Sequence, residues 1–145
     1  MTRKTQFISV EVVIKTDHSY KEFVQWFTEQ DNYVAVVPCD THQAYIYFAP
    51  IPWETPDATI RNLCKQILAL PELPRQQWAA AAYREFYIGY DVGEEPACYH
   101  DHLSCETLSA ALSLGAGVGW ALYPAVPTDD AGIPDFTAPG PQPCS

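Results

Sequence analysis

Basic residues are missing from the whole second part of this sequence. All eight Lys and Arg residues lie at or before Arg84, whereas nine of the 18 acidic residues follow it. The formal net charge of −10 is therefore almost entirely carried by 85–145. An uncompensated acidic field repels phosphate backbones, so nucleic-acid binding is disfavoured. Such a field attracts basic proteins and speeds their association, while solubility alone is the simpler alternative explanation.

Long hydrophobic runs are also missing. No run of about 18 apolar residues occurs, so no transmembrane helix and no membrane binding are predicted. The first stretch, "MTRKTQFISVEVVIK", is interrupted by Glu11 and Lys15 and lacks a cleavage site, so a signal peptide is not expected. The five cysteines are odd in number and irregularly spaced, which favours reduced thiols over a disulfide framework. We therefore expect a cytoplasmic protein.

Alternation of apolar and polar residues predicts six strands. The clearest is "QFISVEVVIK", in which Ile8, Val10, Val12 and Ile14 alternate on one face. The linker "CDT" between the second and third strands is short enough for a hairpin. The predicted strands cover 6–15, 33–38, 43–49, 83–92, 97–103 and 117–123.

Capping residues and apolar stripes at helical spacing predict four helices. The predicted starts are Ser19, with Glu22 completing a capping box, Thr55 with Pro56, Pro74, and Ser104. The last helix covers 105–114 and ends at Gly115. The expected buried stripes are Tyr20, Phe23, Val24 and Phe27, then Ile60, Leu63, Cys64, Ile67 and Leu68, and finally Cys105, Leu108 and Leu112.

The order of these elements predicts an α+β fold, with a mixed, mostly antiparallel sheet and helices on one face. Residues 6–38 and 97–124 each run strand, serine cap, helix, strand and proline. This repetition suggests a duplicated βαβ architecture, similar to a ferredoxin-like sandwich. We expect one α+β domain over 1–124, followed by a Pro-rich disordered tail over 125–145.

A sheet covered on one face leaves the other face open, and the alternation predicts which side chains lie there. The aliphatic set is expected to face the helices: Ile8, Val10, Val12, Ile14, Val34, Val36, Ile46, Phe48, Phe86, Ile88, Val118, Trp120 and Leu122. The opposite set is Tyr33, Tyr45, Tyr47, Tyr83, Tyr87 and Tyr123, with Glu11, Glu85 and Asp91. Tyrosine is favoured at interfaces, although its ring also suits any half-wet sheet face.

The stretch "ACYHDHLSC" is the one candidate metal site. On a strand, Cys98, His100 and His102 would share one face with the tyrosines, and an H-x-H pair with a thiolate can bind zinc. The "CDTH" stretch from Cys39 to His42 could complete such a site. A closed zinc site needs four ligands, so exposed histidines at the edge of a contact surface are the favoured interpretation, with no metal and no cofactor.

Motifs for catalysis are absent from the sequence. There is no G-x-S-x-G, and "GAGVG" follows a helix, whereas a phosphate-binding loop precedes one. The acidic residues after Arg84 could include an acid–base pair, but nothing in the sequence singles out two of them. A protein without enzymatic activity is therefore predicted.

One part of the chain resembles a known type of protein. "REFYIGYDVG" followed by "HLSCETLSAALSLGAGVGWALYP", within 84–124, is similar to small bacterial proteins of the toxin-immunity type, from polymorphic or type VI secreted toxin systems. The shared features are a strand, a serine-capped helix of the form L-S-x-E-x-L, a glycine stop and a closing strand with L-Y-P. The resemblance implies a cytoplasmic protein that binds a cognate toxin, and it brings no catalytic motif.

The sequence thus predicts an immunity protein that occludes a cognate, basic bacterial toxin through an acidic, tyrosine-rich surface. Two alternatives stay open: a metal-dependent enzyme or metalloprotein that uses His100 and His102, and a homo-oligomeric structural module, for example a homodimer. The predicted partner-binding residues are Tyr45, Tyr47, Tyr83, Glu85, Tyr87, Asp91, Glu94, Glu95, His100, His102 and Tyr123.

Overall fold

The chain forms a five-stranded sheet with four helices, and the computed structural model describes residues 2–39, 43–50 and 55–124. This is the α+β fold that the sequence predicts. The predicted tail, 125–145, lies outside the described residues, as does the 40–42 linker of the predicted hairpin. The elements are β1 (Gln6–Thr16), α1 (Lys21–Glu29), β2 (Tyr33–Pro38), β3 (Ala44–Ala49), α2 (Pro56–Leu68), α3 (Glu72–Ala80), β4 (Tyr83–Val92), α4 (Cys105–Ser113) and β5 (Gly117–Pro124).

The strand order is β2-β3-β1-β4-β5. Three neighbouring pairs are antiparallel, and only β4 and β5 run parallel. The mixed, mostly antiparallel sheet is thus confirmed. The first four strands follow the β-α-β-β-α-β order of a ferredoxin-like sandwich, with β1 between β3 and β4. Helix α4 then returns the chain to β5, which lengthens the sheet by one edge strand.

The predicted strand over 97–103 is wrong. Residues 96–98 form a bend and 99–104 have no regular secondary structure. Strand β4 already pairs with β1 on one edge and with β5 on the other, so it has no free edge with which another segment could pair. Side chains hold the segment instead, since Asp101 accepts hydrogen bonds from the Tyr90 hydroxyl at 2.8 Å and from the His102 amide at 2.8 Å. The second strand–helix–strand unit therefore begins with β4.

All four helices contribute to one core on one face of the sheet. Phe23 and Phe27 of α1 meet Phe48 of β3, and the rings of Phe27 and Phe48 stack at 4.1 Å. Trp78 of α3 and Ala111 of α4 belong to the same cluster. The covered face includes Val10, Val12, Ile14, Ile46, Phe48, Phe86 and Ile88, all buried.

Two of the predicted helix caps are confirmed. The hydroxyls of Thr55 and Ser104 accept hydrogen bonds from the amides of the third residue after each, at 3.2 and 3.1 Å. The predicted cap at Ser19 is wrong, because α1 begins at Lys21 after Tyr20 and has no side-chain cap. Gln77 of α3 instead provides the hydrogen bonds at the start of α1. It accepts from the Phe23 amide at 2.8 Å and donates to Glu22 at 2.6 Å.

The remaining differences concern where apolar residues are covered. A register shift in β1 between Phe7 and Ser9 turns Phe7, not Ile8, toward the core, where it packs against Tyr90. The third helix begins at Glu72, two residues before the predicted Pro74. Seven residues predicted to be buried are exposed: Ile8, Leu68, Cys105, Leu108, Leu112, Trp120 and Leu122.

Cys39 is disulfide-bonded, so the prediction that all cysteines are reduced is wrong. Disulfides are typical of oxidising compartments, so the disulfide of Cys39 does not support the expected cytoplasmic location. Within the described part of the chain, no helix has both the length and the apolar character needed to cross a membrane.

Candidate functional site

The helix-free face of the sheet carries the tyrosines that the alternation predicts there. The strand register places Tyr45 and Tyr83 on either side of Lys15, and Tyr47 and Glu85 on either side of Val13. Glu11 lies opposite Tyr87. We call this group the tyrosine face: Glu11, Val13, Lys15, Tyr45, Tyr47, Tyr83, Glu85 and Tyr87.

The tyrosine rings cover one another as well as the sheet. Tyr45 and Tyr47 stack with ring centroids 6.1 Å apart, and the hydroxyls of Tyr83 and Tyr87 are 2.7 Å apart. Burial, followed by the hydrogen bond with Tyr87, raises the pKa of the Tyr83 hydroxyl well above its usual range. Val13 is only 1% exposed although no helix covers it. The face is therefore a packed aromatic layer, not a flat platform of free rings.

One side of the tyrosine face opens into a cavity of about 540 Å³. This volume lies within the range of about 300–1,000 Å³ that small-molecule sites occupy. Gly89 and Ala121 are small lining residues and leave room between the larger side chains. The lining comprises Ser9, Glu11, Val13, Tyr47, Tyr87, Gly89, Trp120, Ala121, Leu122 and Tyr123.

Glu11 is the only charged residue among the ten described residues that line this cavity. Burial raises the pKa of its carboxyl above the usual value, because a charged carboxylate is poorly hydrated there. The pKa of the Tyr47 hydroxyl is raised as well, first by burial and then by the charge of Glu11. The cavity thus combines one partly desolvated acid with aromatic walls.

The position of Tyr87 depends on a glycine of the neighbouring strand. A Cβ atom on Gly119 would lie 2.8 Å from Cε1 of Tyr87, closer than carbon atoms can approach. The absence of a side chain at Gly119 therefore allows the Tyr87 ring to lie across β5. In this way the "GVG" of β5 shapes the tyrosine face without contributing a side chain to it.

Strand β5 is an edge of the sheet and exposes large apolar residues on both of its faces. Trp120, Leu122 and Tyr123 are 61%, 64% and 53% exposed. Trp120 and Leu122 pair with Ile88 and Tyr90, so they point toward the helix side, yet they remain exposed at the sheet edge. Both also line a second cavity of about 430 Å³ beside Tyr99 and Asp101. An edge strand with unpaired backbone groups is a template for pairing with another chain.

The alternation alone assigned Trp120 and Leu122 to the core, so this apolar edge was missed. The parity of the prediction was right, since both residues share a face with Ile88. The alternation of residues does not show how far the helices extend over the sheet. The one available signal was the pair of glycines in "GVGWALY", which weakens a strand as a buried central element.

Of the predicted acidic residues, Glu85 and Asp91 lie on β4 and Glu94 and Glu95 just beyond its end, and not all of them carry free charges. Asp91 lies 3.5 Å from the Arg3 guanidinium. Glu94 and Glu95 are exposed, and both of their amides donate to the Arg3 carbonyl. Basic residues of the first part of the chain therefore reach part of the acidic second part. Glu94 and Glu95 stay in solvent near Tyr123, which pairs with Asp91.

The predicted grouping of His102 with the tyrosines is wrong, and His100 does not lie on the strand that the prediction assumed. The segment is not a strand, so its side chains do not alternate. His102 lies beside Pro56, Ile88 and Leu103, on the helix side of the sheet. His100 is exposed and its Nε2 lies 3.3 Å from the Cys98 Sγ. His42 lies outside the described residues, and those that are described hold no cluster of three or more His, Cys, Asp or Glu suited to a metal ion.

No protein-family model, curated protein or solved structure matches this chain. The features that bear on function are therefore the cavity with Glu11, the tyrosine face and the exposed edge strand β5.

Proposed function

We propose that this protein is a non-enzymatic inhibitor of the immunity type, which occludes a cognate basic bacterial toxin. The observation that carries the proposal is the exposed edge strand β5, where three large apolar side chains lie beside the tyrosine face and the acidic turn after β4. The cavity and the tyrosine face continue this surface on the helix-free side of the sheet.

The exposed apolar residues supply the binding energy in this proposal. Trp and Tyr dominate the contacts that carry most of the affinity in protein interfaces. Trp120 and Tyr123 expose more than half of their surface at a strand edge. Such an edge accepts a further strand from a partner, with main-chain hydrogen bonds for affinity and side-chain pockets for specificity.

The acidic residues supply the rate of association. Glu85 lies on the tyrosine face, and Glu94 and Glu95 extend into solvent close to the end of β5. A negative field of this kind accelerates the encounter with a basic partner and disfavours nucleic acid. The packed rings also leave less free aromatic surface for stacking bases than a single-stranded RNA platform requires.

The resemblance to toxin-immunity proteins falls on β4, α4 and β5, which is the part of the chain that carries the exposed edge. An immunity protein of this kind would act in the cytoplasm, whereas the Cys39 disulfide favours an oxidising compartment. Cell fractionation combined with thiol labelling of Cys39 decides between them.

The test is co-purification with a candidate basic toxin encoded beside this gene, followed by binding kinetics. Leu122→Ala and Leu68→Ala are a matched pair, since both side chains are 64% exposed and they lie on β5 and α2. We expect Leu122→Ala to weaken binding at least about fivefold, because truncation of an important contact residue costs more than about 1 kcal/mol. Leu68→Ala should leave binding unchanged. Equal effects of the two variants, or no complex at low salt, would contradict the proposal.

Charge reversal tests separately whether the acidic residues speed association with the partner. Glu94→Lys with Glu95→Lys should slow association and weaken its dependence on salt, with little change in dissociation. The control is Glu29→Lys with Glu72→Lys, two exposed acids on α1 and α3. An association rate that is unchanged in the first variant would place the interface elsewhere.

A homodimer through β5 is the second candidate, and the same exposed edge favours it. Two β5 edges could pair about a two-fold axis. The net charge of −10 opposes such self-association. Light scattering across a range of protein concentrations and salt concentrations measures it directly.

A further inference from the structure

The Glu11 carboxylate is an acid without a described partner. None of residues 2–39, 43–50 and 55–124 forms an ion pair or a hydrogen bond with it, and burial is the only influence that shifts its pKa. Two basic residues on or near β1 are engaged elsewhere. Lys15 places its Nζ 5.5 Å from the centre of the Tyr45 ring, and Arg3 pairs with Asp91.

The walls of the cavity have the chemistry that attracts a cation. Aromatic rings carry negative potential on their faces, and a positive group within about 6 Å of a ring centre is attracted to it. Tyr47, Tyr87, Tyr123 and Trp120 all line the cavity that contains Glu11. An anion would meet the carboxylate and these rings together, so phosphates and carboxylates are excluded as ligands.

The size of the cavity selects a small organic cation over a metal ion. A volume of about 540 Å³ exceeds what a single bare ion fills, and Glu11 is the only acidic side chain among the described lining residues. Hard metal ions require several oxygen ligands, typically six or more for calcium or magnesium. Alkyl groups on a nitrogen, in contrast, would contact the tyrosine rings that line the cavity beside Glu11.

We infer that this cavity is a binding site for a small alkylammonium group, with Glu11 opposite the positive nitrogen and the rings of Tyr47, Tyr87 and Tyr123 around its alkyl substituents. The inference does not depend on the proposed inhibition of a toxin. The same group can come from a free quaternary amine or from a lysine side chain of another protein. The raised pKa of Glu11 agrees with this, since a bound cation would offset the cost of burying the carboxylate.

The test is calorimetric titration of the purified full chain with choline. Its control ligand is the neutral alcohol in which carbon replaces the quaternary nitrogen. We expect choline to saturate one site and to bind at least about tenfold more tightly than the neutral ligand, because the charge–ring attraction is largest when desolvated. A short capped peptide with a single lysine is the third ligand. Saturation by choline or by the peptide supports the site, and the tighter of the two identifies the source of the ammonium group.

Variants locate the site. Glu11→Gln should weaken choline binding at least about tenfold, whereas Glu85→Gln, on the same face but outside the cavity lining, should leave it unchanged. Tyr123→Phe keeps the ring and should keep binding, and Tyr123→Leu should lose most of it. Circular dichroism and thermal melting of each variant confirm folding. The inference is overturned if choline and the neutral alcohol bind equally, if neither choline nor the lysine peptide saturates, or if folded Glu11→Gln binds like the wild type.

Discussion

The two faces of this sheet exclude water by different means. On the covered face, helices supply the second layer, and Phe86 and Ile88 are at most 1% exposed. On the helix-free face, tyrosines of neighbouring strands cover Val13 to the same degree. The first kind of burial is complete and apolar, whereas the second leaves hydroxyls, Glu11 and a cavity within reach of solvent. The difference shows how one sheet can combine a rigid core with a surface suited to binding.

The difference between the two faces is tested most directly by truncating neighbouring residues of β4 that point to opposite faces. Phe86→Ala should lower the free energy of unfolding by about 3–5 kcal/mol, as expected for a fully buried ring. Tyr87→Ala should cost less than half as much, because Tyr87 is only half-buried and its cover is other tyrosines. Urea unfolding followed by circular dichroism measures both. Equal losses would show that the tyrosine face is a second core.

Asp57, at the junction of α2 and α4, is a carboxylate whose environment contrasts with that of Glu11. Asp57 accepts from the Ser104 amide at 2.7 Å and pairs with Arg61 at 3.0 Å. Burial alone would raise the pKa of Asp57, but hydrogen bonds from Ser104 and Thr107 and the Arg61 charge outweigh it and lower the pKa. Glu11, which has no described partner, shifts in the opposite direction.

Asp57→Asn should therefore lower the free energy of unfolding by about 1.5–3 kcal/mol at neutral pH, the range for hydrogen bonds to charged groups. Because the folded pKa lies below the unfolded one, the contribution of Asp57 is fully present above the unfolded pKa of about 3.9. It is lost as the pH falls through the folded pKa. Urea unfolding of both proteins from neutral pH down to about pH 3 checks this, and a difference that stays constant with pH would contradict it.

A matched pair of glycines tests how the tyrosine face is shaped. Gly119→Ala should cost about 1–3 kcal/mol, because its Cβ would overlap the Tyr87 ring. Gly89→Ala is the control, since its Cβ would meet Ser9 Oγ at 3.4 Å and Tyr123 Cε2 at 3.6 Å, which are ordinary contacts. Thermal unfolding compares them. A larger loss for Gly89→Ala would mean that the Tyr87 ring moves away easily.

The smallest expected effect has the opposite sign. The folded pKa of Glu11 is raised, so ionisation of Glu11 destabilises the folded state above that pKa and has no effect below the unfolded value of about 4.3. Glu11→Gln should therefore raise the free energy of unfolding at neutral pH, by less than about 1 kcal/mol because the side chain is partly solvated. The gain should vanish in acid. A loss of stability at neutral pH would show that the carboxylate is satisfied in the folded protein.

Much of the fold could be predicted because its signals are local. Thr55, Ser104 and Gly115 act within one helical turn, and their positions are confirmed by the hydrogen bonds and by the positive φ of Gly115. Strand alternation likewise placed Tyr45, Tyr47, Tyr83 and Tyr87 together on one face. Both kinds of signal depend only on residues a few positions apart, which share the same backbone geometry.

The misplaced residues depend on distant parts of the chain. Whether 97–103 forms a strand is decided by β1 and β5, which already occupy both edges of β4. Whether Ser19 caps α1 is decided by Gln77, more than fifty residues away in sequence.

By itself, then, the amino-acid sequence determined the α+β class, most element boundaries, two helix caps and the tyrosine face, since each follows from local periodicity or local hydrogen bonding. The tertiary structure alone decided that Trp120 and Leu122 are exposed, that His102 lies on the helix side, and that Glu11 faces an aromatic cavity. Exposure depends on how far the helix layer extends, and a cavity depends on several strands at once. Neither property is contained in the spacing of residues along one strand.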